Sequence, residues 1–195
     1  MKHEPILLDV DDVLLNWFSG FDRYMSHLGY TRPRNHDNYD ISKVFEVDRI
    51  EIQDLVTNFN TRWEFGTLAP LPGAKAGLKK LRSAGHRFVA ITSCSTDPTT
   101  ISLRKTNLYW CFGDIFEAVH CLNLGESKET HLADYNPTWW IEDKFENAVA
   151  GLKYGHKSIL VKKPHNERMR HSDLHRVSSW KQITDLILNN DLEKE

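Results

Sequence analysis

The chain has 195 residues, a length that suits one domain or one domain with a modest insertion, and it can bury a core without covalent staples. Its 40% hydrophobic and 27% charged residues, with 10 Gly and 7 Pro, exclude collagen-like, low-complexity and wholly disordered chains. With 25 Lys and Arg against 27 Asp and Glu the formal net charge is −2, which disfavours any general attraction to nucleic acid or an anionic membrane.

The first apolar run, Ile6-Leu7-Leu8, stops at Asp9, Asp11 and Asp12 and predicts a short buried strand. It is too short for the core of a secretion signal, and no stretch approaches the roughly 18 apolar residues of a membrane span. Residues 15–69 are rich in aromatics, among them Trp17, Phe18, Phe21, Phe59 and Trp63, and contain no strong strand candidate. Helical spacing shows through Ile52, Leu55 and Phe59, so this stretch predicts a small helical cap inserted after the first strand. Residues 1–14 and 70–195 would form the core domain.

From Pro72 onward the pattern alternates. A helix lies between Pro72 and Gly85, where Pro near the start and Gly just past the end are helix punctuation. Residues 86–91 then read as a buried strand, 101–110 as helix, 115–121 as strand, 126–135 as helix and 138–141 as strand. A helix over 145–154 closes at Gly155, residues 158–161 form another strand, and 180–188 form an amphipathic helix followed by a polar tail expected to fray. Helices alternating with buried strands predict an α/β fold with a doubly wound, mostly parallel sheet covered on both faces.

In open α/β sheets ligands bind beyond the carboxyl ends of the strands. The residues that follow the strands are Asp9-Val10-Asp11-Asp12, Thr92-Ser93 and Glu142-Asp143, and the helical stretch after the third strand candidate adds Lys128. Carboxylates gathered at one sheet edge repel one another, and a divalent metal with oxygen ligands relieves that repulsion. Lys128 and Thr92 would face the non-bridging oxygens of a substrate phosphate, by charge and by hydrogen bonding. One Asp of the D-x-D pair is then free to attack phosphorus while the other moves protons, which amounts to phosphoryl transfer through an aspartyl phosphate.

These four elements, in this order, resemble the haloacid dehalogenase (HAD) superfamily. Asp9-Val10-Asp11-Asp12-Val13-Leu14 is similar to its D-x-D-x-[TV]-L motif, Thr92 to its Thr or Ser motif, Lys128 to its Lys motif and Glu142-Asp143 to its acidic motif. The resemblance implies a HAD-like, Rossmannoid sheet with Asp9 as nucleophile and Asp11 as general acid and base. It also implies that Asp9, the backbone carbonyl of Asp11, and Asp143 hold Mg²⁺. An acid at Asp11 implies a phosphatase. Glu142 stands where Gly or Asp is commoner, so Asp143 is the preferred metal ligand, and Lys144 competes with Lys128 for the phosphate.

Within that superfamily the chain resembles the 5′(3′)-deoxyribonucleotidases. The likeness lies in the D-x-D-x-V-L start, the compact helical cap, Leu68-Ala69-Pro70-Leu71-Pro72-Gly73-Ala74, Thr92-Ser93 and the segment Val161 to Asn166. It implies a Mg²⁺-dependent phosphomonoester hydrolase acting on nucleoside monophosphates. A phosphatase for another small phosphorylated metabolite, or a silent member that binds a phosphorylated ligand, are the alternatives.

Asp9 and Asp11 as simple helix caps would explain one acid, not three in four positions. Most cap aromatics are expected to form the cap's own core, with Phe18, Trp63 and Ser93 as candidate substrate contacts. His171 and His175 have the spacing of a helical metal pair but no third ligand nearby, which predicts a solvated helix. Three cysteines (Cys94, Cys111, Cys121) are odd in number and lack metal-knuckle spacing, so a reducing cytoplasm is expected.

Overall fold

A computed structural model describes residues 4–31 and 38–192. The chain begins with β1 (Ile6–Leu8), then α1 (Trp17–His27), α2 (Ile41–Phe45) and α3 (Arg49–Asn60). It continues through α4 (Ala74–Ser83), β2 (Phe88–Ser93), α5 (Pro98–Phe112), β3 (Phe116–Leu122) and α6 (Glu129–Ala133). The last elements are β4 (Trp139–Glu142), α7 (Phe145–Lys153), β5 (Lys157–Val161), β6 (His175–Val177) and α8 (Trp180–Leu192). The six strands form one sheet in the order β3-β2-β1-β4-β5-β6, and every pairing is parallel.

All three residues of β1 are buried because successive side chains point to opposite faces and both faces are covered. Ile6, Leu8, Phe88 and Ala90 pack with Leu78 and Leu81 of α4 and with Ile183 and Ile187 of α8. Leu7, Val89, Ile91 and Trp140 face the other way, onto Leu132 of α6 and Ala150 of α7. The fold is therefore the doubly wound α/β sheet expected from the alternation. Strand order reverses direction at β1, which places a topological switch point between the carboxyl ends of β1 and β4.

Between Leu15 and Ala69 the described residues form helices, a 3-10 turn at Phe65–Thr67 and no strand. Asp40 and Asp48 cap α2 and α3 by accepting from the backbone N–H of Ser42 and Ile50. The aromatics mostly fill the insertion's interior. Phe59 lies 5.6 Å from Phe21 and 6.1 Å from Phe65, centroid to centroid, in a cluster continuous with Leu14 and Leu15.

Three expectations need correction. The helix expected over 126–135 shrinks to Glu129–Ala133, because Gly125 takes a left-handed conformation and the Glu126 carboxylate accepts the backbone N–H of Asn123. His171 and His175 do not share a helix: His175 begins β6, a three-residue edge strand that pairs only with β5. The final helix runs on to Leu192 instead of fraying after Leu188, while residues 193–195 lie outside the described residues. Smaller shifts move β2 and β3 later by one or two residues, where ladder pairing continues through Thr92↔Cys121 and Ser93↔Leu122.

Candidate active site

After β1 the backbone folds into a tight loop. The Asp9 N–H still donates to Ile141 O at 2.9 Å, but Val10 O then accepts from Leu14 at 2.8 Å and Leu15 at 2.9 Å. Asp12 closes the loop in the left-handed region at φ 57°, a conformation Asp tolerates better than most residues. This turn holds Asp9, Asp11 and Asp12 above the sheet beside Glu142 and Asp143, which follow from β4.

Lys128 precedes α6 and reaches back into this cluster. Its Nζ donates to Asp9 Oδ1 at 2.6 Å and to Glu142 Oε2 at 2.9 Å, with only 3% of the residue exposed. A lysine on a short, mostly polar helix would ordinarily be solvated; here the crossover from β3 turns it inward. Lys144, the competing candidate, lines the cavity described below, with its Nζ 4.7 Å from the centroid of the Tyr39 ring.

Glu142 is saturated. Its Oε1 accepts the backbone N–H groups of Asp143 and Lys144 at 2.9 and 3.0 Å, and its Oε2 accepts from Lys128 and from Asn147 Nδ2 at 3.1 Å. Asp143 is held from its backbone: Asn166 Nδ2 donates to Asp143 O at 2.7 Å and to Val161 O at 2.8 Å. Among the described residues the Asp143 carboxylate has one neighbour of opposite potential charge, His165 Nε2 at 3.6 Å. One oxygen from each of Asp9, Glu142 and Asp143 lies within 4.8 Å of the others. This buried, all-oxygen donor set suits a hard divalent cation. Because Glu142 is already satisfied, Asp9 and Asp143 would be the carboxylates left to hold such a cation.

The charge balance agrees. Burial drives the carboxyls of Asp9 and Asp143 well above their ordinary values, and Glu142 adds to both shifts. Glu142 itself stays below its ordinary value, since Lys128 and the backbone N–H of Lys144 outweigh its burial. Lys128 is held above the ordinary lysine value, its two carboxylate partners outweighing burial. Burial pushes Asp12 up to about 6 although Lys163 pulls it down.

A raised carboxyl binds more protons folded than unfolded, so its contribution to stability falls as pH rises between the unfolded and folded pKa values. Asp12 should make the metal-free protein lose thermal stability between about pH 4 and about pH 6, and the raised carboxyls of Asp9 and Asp143 act in the same direction. Excess Mg²⁺ is expected to flatten that slope and raise the melting temperature at neutral pH. Melting curves from pH 4.5 to 8, in EDTA and in Mg²⁺, test this; identical profiles would contradict it.

Thr92 is wholly buried at the end of β2, close enough to Asp11 to lower its carboxyl pKa, though its Oγ1 makes no well-aligned hydrogen bond. Asp9, Asp11, Ser93, Lys128, Asp143 and Phe18 all line one cavity of about 700 Å³. The insertion supplies its far wall with Trp17, Tyr39, Ile41 and Val56. Trp63 is not brought there: it is 68% exposed and lines a separate groove with Tyr24 and His27. Its place outside the cavity follows from the turn after α3, which carries it past the end of that helix.

Some site residues carry no signal in the sequence. Arg104 on α5 is fully buried and places Nη2 2.5 Å from Asp11 Oδ1. Asn60 receives Trp17 Nε1 at 3.1 Å and donates to Cys94 O at 2.9 Å, tying the insertion to the segment after β2. In the sequence both resemble surface polar residues on helices. Asn166 could have been found, because it closes the Val161-to-Asn166 segment that carries part of the family likeness.

A family model described as 5′ nucleotidase, deoxy (pyrimidine), cytosolic type C protein matches residues 3–192. No curated protein matches the chain by sequence. Among solved structures, CbbY from Rhodobacter sphaeroides in complex with phosphate is 18% identical over 93% of this chain and 96% of its own, with TM-score 0.62. The haloacid dehalogenase-like protein SP0104 from Streptococcus pneumoniae is 13% identical over 95% of this chain and 99% of its own, with TM-score 0.63. A predicted phosphoglycolate phosphatase from Haemophilus somnus 129pt is 13% identical, covering 96% of this chain and 99% of its own at TM-score 0.62. At such identities these likenesses speak for the fold.

Proposed function

Since the chain belongs to the 5′ nucleotidase, deoxy (pyrimidine), cytosolic type C family, we propose that it hydrolyses nucleoside monophosphates through a phosphorylated Asp9. At the coarser level it is a HAD-type phosphatase that cleaves small phosphomonoesters. The observation that carries the finer reading is the buried Lys128 shared by Asp9 and Glu142 on the floor of the cavity.

With Lys128 on Oδ1, Asp9 keeps Oδ2 to attack phosphorus. The P–O ester bond breaks and the departing oxygen takes the proton of the Asp11 carboxyl, whose pKa burial raises. Water then attacks the phosphoryl group on Asp9 and gives a proton to Asp11, and the Asp9–phosphorus bond breaks to release phosphate. Ser93 and Lys128, both in the cavity wall, orient the phosphate oxygens, while Thr92 stays buried beside Asp11. Mg²⁺ held by Asp9, Asp143 and the Asp11 carbonyl would neutralise the crowded negative charge around the transferring group. The helical insertion acts as a cap whose aromatic wall, Trp17 and Phe18, offers stacking surface to a nucleobase and keeps bulk water out.

No described helix is long and apolar enough to cross a membrane. The family description and the three free cysteines support a cytoplasmic setting.

Phosphate release from a panel of nucleotides, sugar phosphates and p-nitrophenyl phosphate tests the assignment. We expect turnover that EDTA abolishes and Mg²⁺ restores, with the highest kcat/KM on a deoxyribonucleoside 5′-monophosphate. Preference for another phosphate ester would transfer the assignment to that metabolite class. Binding of phosphorylated ligands without any turnover would replace the enzyme by a silent binding protein.

A further inference from the structure

Arg104 is a buried cation that this scheme does not use. Arg104 sits on α5, the crossover helix between β2 and β3, whose start is fixed by Pro98 and by Asp97 accepting from Thr99 and Thr100 N–H. Its guanidinium is behind the cavity, not in its wall, and has no exposed surface. Three parts of the chain converge on it. Nη2 reaches Asp11 Oδ1 at 2.5 Å, the guanidinium carbon lies 4.1 Å from the centroid of Phe65, and the Cys94 sulfur is near enough to stabilise its charge. Phe65 is itself fully buried in the 3-10 turn that ends the insertion.

Core stability does not call for this arrangement. Desolvating a guanidinium is costly, and a buried ion pair can often be replaced by apolar side chains without loss. Among the described residues Nε and Nη1 make no well-aligned hydrogen bond, with only the Cys94 sulfur nearby, so the pair is kept at a further cost. The benefit is directional. A donor from behind holds Asp11 at Oδ1 and so restrains the rotamer of a carboxyl that lines the cavity.

We propose that Arg104 is a positioning residue for Asp11, aiming the carboxyl at the departing oxygen and linking that aim, through Phe65, to the packing of the helical insertion. This rests on the proton-transfer role proposed for Asp11. Accurate placement of such a group is worth orders of magnitude in rate, and its loss leaves substrate binding largely intact.

The test compares wild type, D11N, R104M and R104K on two esters. A nucleoside 5′-monophosphate departs as an alkoxide and needs a proton, whereas p-nitrophenyl phosphate departs as a stable phenolate. For R104M we expect kcat on the nucleotide to fall about a hundredfold, with KM changed by less than about twofold and p-nitrophenyl phosphate turnover lowered only about fivefold. R104K retains a charged donor and should recover part of the nucleotide activity. If R104M does not fold, a selective nucleotide loss in R104K supports the inference in its place. Equal losses on both esters in the Arg104 variants, with D11N still selective, would overturn the inference and leave the Asp11 role standing. A D11N variant with no selectivity would overturn that role and the inference with it.

Discussion

Asp9→Asn is expected to lower kcat at least about a thousandfold on every phosphomonoester while the protein stays folded. The amide has the shape of the carboxylate but cannot attack phosphorus. Stability should hold because Asp9 is one of several crowded acids whose charge burial and Glu142 disfavour, and Lys128 keeps Glu142 as its partner. Acid quenching during turnover should trap a phosphoryl group on the wild type and none on the variant, read by intact mass. Wild-type turnover in Asp9→Asn would remove the nucleophile from this position altogether.

Lys128→Met should act on folding as well as on catalysis. Removing the ammonium strands Asp9 and Glu142 as unpaired buried carboxylates, and breaking a buried pair in this way costs about 3–5 kcal/mol. For a chain of this size that lowers the melting temperature on the order of 10 °C. Urea titration in EDTA measures the loss directly. The double variant Lys128→Met/Glu142→Gln should regain much of it by removing the saturated acid's charge, yet remain inactive, which separates the structural from the catalytic role of the lysine. A Lys128→Met protein as stable as wild type would mean that the lysine does not neutralise this cluster.

The expected effects follow from contacts that the sequence reveals unevenly. Strand-terminal acids are legible because a parallel strand buried on both faces must be a short apolar run, so a sudden acid marks its end. Asp9, Asp143 and the Thr92-Ser93 pair stand out for that reason. The insertion is legible because an aromatic-rich stretch with helical spacing cannot join a sheet. By contrast, β6 has one buried residue in three, too little pattern to separate it from a polar turn. The loop before α6 carries helix-forming residues but takes its path from a left-handed Gly125 and a side-chain bond to Asn123.

What the sequence determined by itself is the α/β alternation, the helical insertion and the identity of the acids that end β1 and β4. These depend on local periodicity and on residues a few positions apart. Tertiary structure alone decided which cation meets which acid: Lys128 pairs with Asp9 across 119 positions, and Arg104 with Asp11 across 93. It also kept Trp63 out of the cavity and left Glu142 fully hydrogen-bonded. Sequence spacing carries no information about such distances, because they are set by the strand order of the sheet and by the helices that cross between its strands.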